Sequence, residues 1–111
     1  MNETSSFAFL GIRYGSKVNV DALRVSGVYA IQNNTNGHRY VGSSARILVR
    51  ARVHLKELTR GDHHCSHLQN AVNKYGIAAF SFLILEVASD PTELQNVEQK
   101  WINECGYYNT A

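Results

Sequence analysis

The chain alternates between two kinds of hydrophobic pattern. Residues 27–33 and 37–43 are short apolar and aromatic runs on either side of an asparagine-rich tract ending in Asn36-Gly37. Two such arms around an Asn-Gly pair predict a β-hairpin with a type I′ turn. With that two-residue loop Asn33 faces Tyr40, and any loop of even length puts Tyr29 and Tyr40 on one face, since side chains alternate along strands. Their separation depends on a register that the pattern leaves open. Over residues 46–59, Leu48, Ala51, Leu55 and Leu58 recur at helical spacing, with Gly61 as the stop. Arg46, Arg50, His54 and Glu57 form a second stripe on that helix. Ser66 is a candidate cap for another helix, with Leu68, Ala71, Val72 and Tyr75 turned inward and Gly76 past its end. The stretch FSFLILEV, residues 80–87, is apolar on both faces up to Glu86, as in a central strand. Asp90, Pro91 and Glu93 mark the start of a last helix with the stripe Leu94, Val97, Trp101, Ile102 and Cys105. The predicted architecture is α+β: a three-stranded, mainly antiparallel sheet flanked by helices, in the order β-β-α-α-β-α. Residues 1–26 read as an N-terminal extension of unknown role, in which VNVDALRV (18–25) forms a helical turn or a short strand. Residues 27–111 form the main domain.

One residue breaks the pattern. At about 100° per residue, Glu98 falls inside the apolar arc of the last helix. A carboxylate turned towards a core is costly unless it is paired, protonated or on a metal. Such a position points to a site; the structural alternative is a buried pair with Arg50 or Lys74. A lone inward carboxylate suits one hard divalent cation. Two tyrosines on one sheet face, with an arginine and a histidine at i, i+4, suit the handling of a phosphate and a water. Together they suit metal-assisted phosphodiester hydrolysis.

Charge adds a partner. The net charge of the 111 residues is only +2. Yet residues 38–60 carry six Arg and Lys against Glu57, while residues 61–111 carry two lysines against six carboxylates. A basic block of this kind fits a polyanion meeting one face, and a solvated helix face is the plainer account. No apolar run reaches the roughly 20 residues needed to span a bilayer, and no basic segment precedes a leader-like core. Cys65 and Cys105 read as free thiols of a reducing compartment, a disulfide being the alternative.

The motifs GVY (27–29) and YVG (40–42), followed by the stretch from Arg50 through LKELTRGDHHCSHLQNAVNKYG, FSFLILE, EQKWI and YYN, resemble the GIY-YIG nucleases over residues 26–110. In detail they resemble the catalytic domains of intron-encoded homing endonucleases. The resemblance implies a DNA endonuclease using one Mg²⁺ or Mn²⁺ per active site, held by Glu98. It implies Tyr29 as general base or water-orienting group, Tyr40 as a partner of the phosphate or the water, and Arg50 as the stabiliser of transition-state charge. His54 becomes a phosphate contact or proton relay, and Asn109 orients active-site groups. DNA contacts are expected from Ser43, Arg46, Arg52, Lys56 and the loop residue His63. The partner it implies is double-stranded DNA, met as a monomer or transient dimer, inside a bacterial or phage-infected cell. Gly27 and Gly42 would admit a close neighbour. The chain has 26 residues before the first motif and ends soon after Asn109, so a freestanding nuclease and an excised catalytic domain are both open. The rival readings are a restriction or repair nuclease, a non-catalytic nucleic-acid-binding module, and a zinc site from His63, His64, Cys65 and His67, whose compact spacing matches no familiar tetrahedral set.

Overall fold

The computed structural model describes residues 8–10 and 25–109; most of VNVDALRV lies outside them. Four strands form one sheet: β1 (Ala8–Leu10), β2 (Gly27–Asn33), β3 (Arg39–Ser44) and β4 (Phe80–Val87). Their spatial order is β1-β4-β2-β3. The three expected strands are antiparallel, and β1 adds to them, pairing parallel to β4 through Phe9 and Phe82. Strand β4 therefore has a neighbour on each side, in keeping with its unbroken apolar run. Helices α1 (Ile47–Arg60), α2 (Ser66–Tyr75) and α3 (Leu94–Cys105) complete the expected order.

Strand β2 is buried at almost every position, which requires cover on both faces. Tyr29 and Ile31 point into a core with Ile47, Ala51, Leu58, Leu68, Val72, Phe80, Phe82 and Tyr108. Val28, Ala30 and Val41 point the other way, onto Val97, Trp101, Ile102 and Cys105 of α3. Helices α1 and α2 thus lie on one face and α3 on the other, leaving β3 as an edge strand between the two layers.

The hairpin differs from expectation. Ile31, not Asn33, faces Tyr40, and Tyr29 faces Gly42. The loop has four residues, 34–37, closed by the Asn33 N–H to His38 carbonyl bond at 2.8 Å. Only Gly37 has positive φ (81°), so the turn is not type I′. The asparagine side chains are the reason: Asn33 Oδ1 accepts from Thr35 N–H and Asn36 Oδ1 from His38 N–H, each at 3.0 Å. The parity survives the two-residue slip, and both tyrosines point to the α1/α2 face.

Gly27 sits beside a register shift between Val28 and Tyr29 in the β2–β4 ladder. A Cβ there would overlap the Glu86 carbonyl oxygen, so the glycine admits a neighbouring backbone at a bulge. Ser66 does not cap α2: Cys65 occupies the cap, its carbonyl accepting from Gln69 N–H at 2.9 Å. Tyr75 faces solvent, with Lys74 Nζ 5.3 Å from its ring centroid. Asp90 does start the last helical stretch, accepting from Thr92 N–H at 3.0 Å, but it caps a 3-10 turn, Pro91–Glu93, that leads into α3. Both cysteines are free. Among the described residues no helix is long and apolar enough to cross a membrane.

Candidate active site

The site begins where β2 crosses β3. The Tyr29 ring stacks on Phe82 (centroids 4.9 Å apart) and lies across Gly42. A Cβ on Gly42 would come within 2.5 Å of the Tyr29 hydroxyl oxygen and 2.6 Å of its Cζ. The missing side chain is therefore what lets the phenol lie over the neighbouring strand. Tyr29 is only 2% exposed, more enclosed than a residue expected to act on water need be.

Helix α1 supplies the groups around that hydroxyl. Spacing of i, i+4 brings Arg50 and His54 to one side. His54 Nε2 lies 2.5 Å from the Tyr29 oxygen, and the positive charge of Arg50 acts on the same phenol. Burial pushes the Tyr29 phenol well above its ordinary pKa; Tyr40 and Glu98 push the same way and Arg50 opposes them. Tyr40 is half-buried, its hydroxyl 3.2 Å from His64 Nε2. Burial first, then the charges of Cys65 and Glu98, raise it to about 12 against Arg50.

His54 is fully buried. Burial, then the positive charges of Arg50, His63 and His64, lower its pKa from 6.5 to about 3. In an unfolded chain the same imidazole takes a proton below about pH 6.5, so acid favours unfolding. Thermal melts should show Tm falling as pH drops from 6.5 towards 3, with a shallower fall in His54→Gln. Equal slopes for the two proteins would contradict the burial account.

His63 is also buried, at 6% exposure, and so presents no surface to DNA. Its Nε2 is 2.7 Å from His54 Nδ1, and the rings stack. Cys65 N–H donates to His63 Nδ1 at 3.0 Å, and His63 N–H donates to Gln69 Oε1 at 3.0 Å. Gln69 in turn donates to the Leu58 carbonyl at 3.1 Å, tying the loop to the end of α1. Sequence reasoning passed over Gln69, although its place three residues before Val72 on the inward stripe was a signal. His54, Glu57 and His63 bring three possible metal-ligand atoms within 4.8 Å of one another, a possible His/Glu metal site. The HHCSH residues do not share one ligand set: His63 and His64 stack at 4.4 Å, but Cys65 Sγ donates to the Tyr108 carbonyl and His67 packs against Tyr107 and Tyr108.

Glu98 reaches the site from the opposite layer. It is half-buried on α3, and its Oε1 accepts from Ser43 Oγ at 2.6 Å on the α3 face of β3. Neither Arg50 nor Lys74 pairs with it; the ion pairs among the described residues are Arg60–Asp62 and Lys100–Glu86. Glu98 borders a cleft of about 390 Å³ with Gln95, Asn96, Gln99 and Ile102. A carboxylate with no paired cation among the described residues fits a hard divalent ion. Its charge nevertheless acts on both phenols, so the candidate site wraps around the β3 edge. Asn109 pins that edge: its Oδ1 accepts from Val41 N–H and its Nδ2 donates to the Val41 carbonyl, both at 2.8 Å.

The basic residues divide. Arg46, Arg52 and Lys56 are exposed, and Arg52 and Lys56 line a surface cleft of about 430 Å³ with Leu55, Thr59 and Arg60. Arg50 alone turns to the tyrosines.

The sheet flanked by split helix layers, and a hairpin carrying a tyrosine on each arm, define a class. The GIY-YIG catalytic domain profile matches residues 25–109, and the chain belongs to the GIY-YIG nuclease family. It is 33% identical over 79 residues to intron-associated endonuclease 1 of Enterobacteria phage T4, a match covering 71% of this chain and 32% of that protein. The chain thus spans about a third of that relative's length. The catalytic domain of homing endonuclease I-TevI superposes with a TM-score of 0.68 and 34% identity, covering 74% of this chain and 95% of that one. A glutamate-to-alanine variant of the I-TevI domain gives 0.71 at 33% identity, covering 78% and 94%.

Proposed function

We propose that this chain is a divalent-metal-dependent DNA endonuclease of the homing type, hydrolysing phosphodiester bonds of double-stranded DNA inside the cell as a monomer or transient dimer. The observation carrying this reading is the Tyr29 hydroxyl, laid across Gly42 and held by His54, with the charges of Arg50 and Glu98 acting on both phenols. At neutral pH Tyr29 is a phenol, so its hydroxyl orients the attacking water. Arg50 faces the charge that develops on the phosphate, where a guanidinium is most effective. Tyr40, nearer the surface, hydrogen-bonds the phosphate or the water. Glu98, backed by Ser43, would hold Mg²⁺ or Mn²⁺, which supplies positive charge beside the scissile phosphate. Arg46, Arg52 and Lys56 offer the flanking backbone a salt-sensitive grip.

Supercoiled plasmid incubated with Mg²⁺ should be nicked, and EDTA should abolish the nicking. Plasmid bound but never nicked, at any divalent-ion concentration, would leave only a nucleic-acid-binding module.

A further inference from the structure

One donor of fixed identity meets a ring nitrogen of the buried histidines, and it is a peptide amide. Cys65 N–H can only give a proton, and it points at His63 Nδ1. That nitrogen is therefore bare, and a neutral imidazole then carries its proton on Nε2. His63 Nε2 faces His54 Nδ1 at 2.7 Å, so His54 Nδ1 is the acceptor and must also be bare. His54 then carries its proton on Nε2, which faces the Tyr29 oxygen. Both rings stay neutral because burial disfavours their charged forms. The run of donors thus goes one way, from the Cys65 amide through two imidazoles to the phenol.

We infer that His63 is a positioning residue: locked by the Cys65 amide, it sets the His54 tautomer so that His54 donates to the Tyr29 oxygen. The inference rests on the proposed nuclease reading for its consequence, not for its geometry. The Tyr29 oxygen already receives an N–H from His54, and the positive charge of Arg50 acts on the same phenol. Its own proton then points away from His54, free for the water or phosphate of the proposed reaction, and cannot pass to a His54 nitrogen that is already protonated. The opposite tautomer would turn a bare nitrogen on Tyr29 and draw its proton inward. A metal shared by His54, Glu57 and His63 is disfavoured by the same amide. Were His63 Nε2 bound to an ion while Nδ1 accepted from Cys65, the ring would have to be an imidazolate. A metal-bound histidine instead ordinarily donates from its other nitrogen.

Nitrogen-15 NMR on protein labelled at histidine, with EDTA and without DNA, reads each ring nitrogen directly. Protons on Nε2 of both His63 and His54 are expected. A proton on His63 Nδ1, or a coordination shift at either His63 ring nitrogen when one equivalent of Zn²⁺ is added to an EDTA-free sample, would overturn the inference. Kinetics give the second arm. His63→Ala should lose the single His54 tautomer and lower kcat by about 10- to 100-fold with little change in KM. His63→Gln should restore both, because its amide can accept from Cys65 and donate to His54. Folded His63→Ala with wild-type kcat, or folded His63→Gln as impaired as alanine, would also refute it. If alanine prevents folding, the wild-type spectrum and the glutamine variant still decide. A wild-type protein that cuts nothing would sink the nuclease reading and leave the tautomer result standing.

Discussion

Glu98→Ala should lower kcat on supercoiled plasmid by on the order of 10²–10³, with the melting temperature close to wild type. Two features separate these effects. The carboxylate is half-buried and its one hydrogen-bond partner among the described residues is Ser43 Oγ, so alanine strands one hydroxyl that can turn to water. No guanidinium or ammonium loses a partner, and the large penalty of orphaning a buried charge does not arise. What disappears is the one carboxylate among the described residues whose charge acts on both phenols. Plasmid relaxation measured against Mg²⁺ concentration should show the loss at saturating metal as well as at low metal. Wild-type turnover would remove Glu98 from the site. Arg50→Ala should give a loss of similar size, since its positive charge acts on both phenols.

Gly42→Ala should be comparably damaging without touching any group that does chemistry. A single methyl placed 2.5 Å from the Tyr29 oxygen and 2.6 Å from its Cζ cannot be accommodated by the strand itself. The ring must move, but Phe82 stacks on it and His54 holds its tip. The displacement breaks the contacts of the hydroxyl, and a misplacement of about 1 Å can cost on the order of 10²-fold in rate. The expected result is a kcat reduced by about that factor, with DNA affinity in EDTA unchanged because the exposed basic residues are untouched. Unaltered kcat would mean that Tyr29 has no part in turnover.

Much of this arrangement was legible before any coordinates. The element order followed from periodicity, and α1 lies within one residue of its expected bounds. Parity alone put both tyrosines on one face. The wheel position of Glu98 marked an acid that the apolar stripe could not explain. Register was harder, because it turned on side-chain bonds from Asn33 and Asn36 rather than on the Asn-Gly pair. That Glu98 would approach from the layer opposite the tyrosines was not readable either. It depends on which face each helix covers, and strand β2 is apolar on both. His63 looked like a surface loop residue in a polar run. Its burial is created by Gln69 and the Cys65 amide, partners that belong to the next helix and its cap.

The Asn109 side chain imitates the missing neighbour of an outer strand, filling both hydrogen-bonding positions of Val41. Val41 stands between Tyr40 and Gly42, so the latch holds a phenol on one side and the gap under the other phenol on its second side. Tension on the polypeptide at Tyr107–Asn109 would therefore be transmitted straight to the reacting groups. Anything that tugs there mechanically could throttle cutting without going near the DNA.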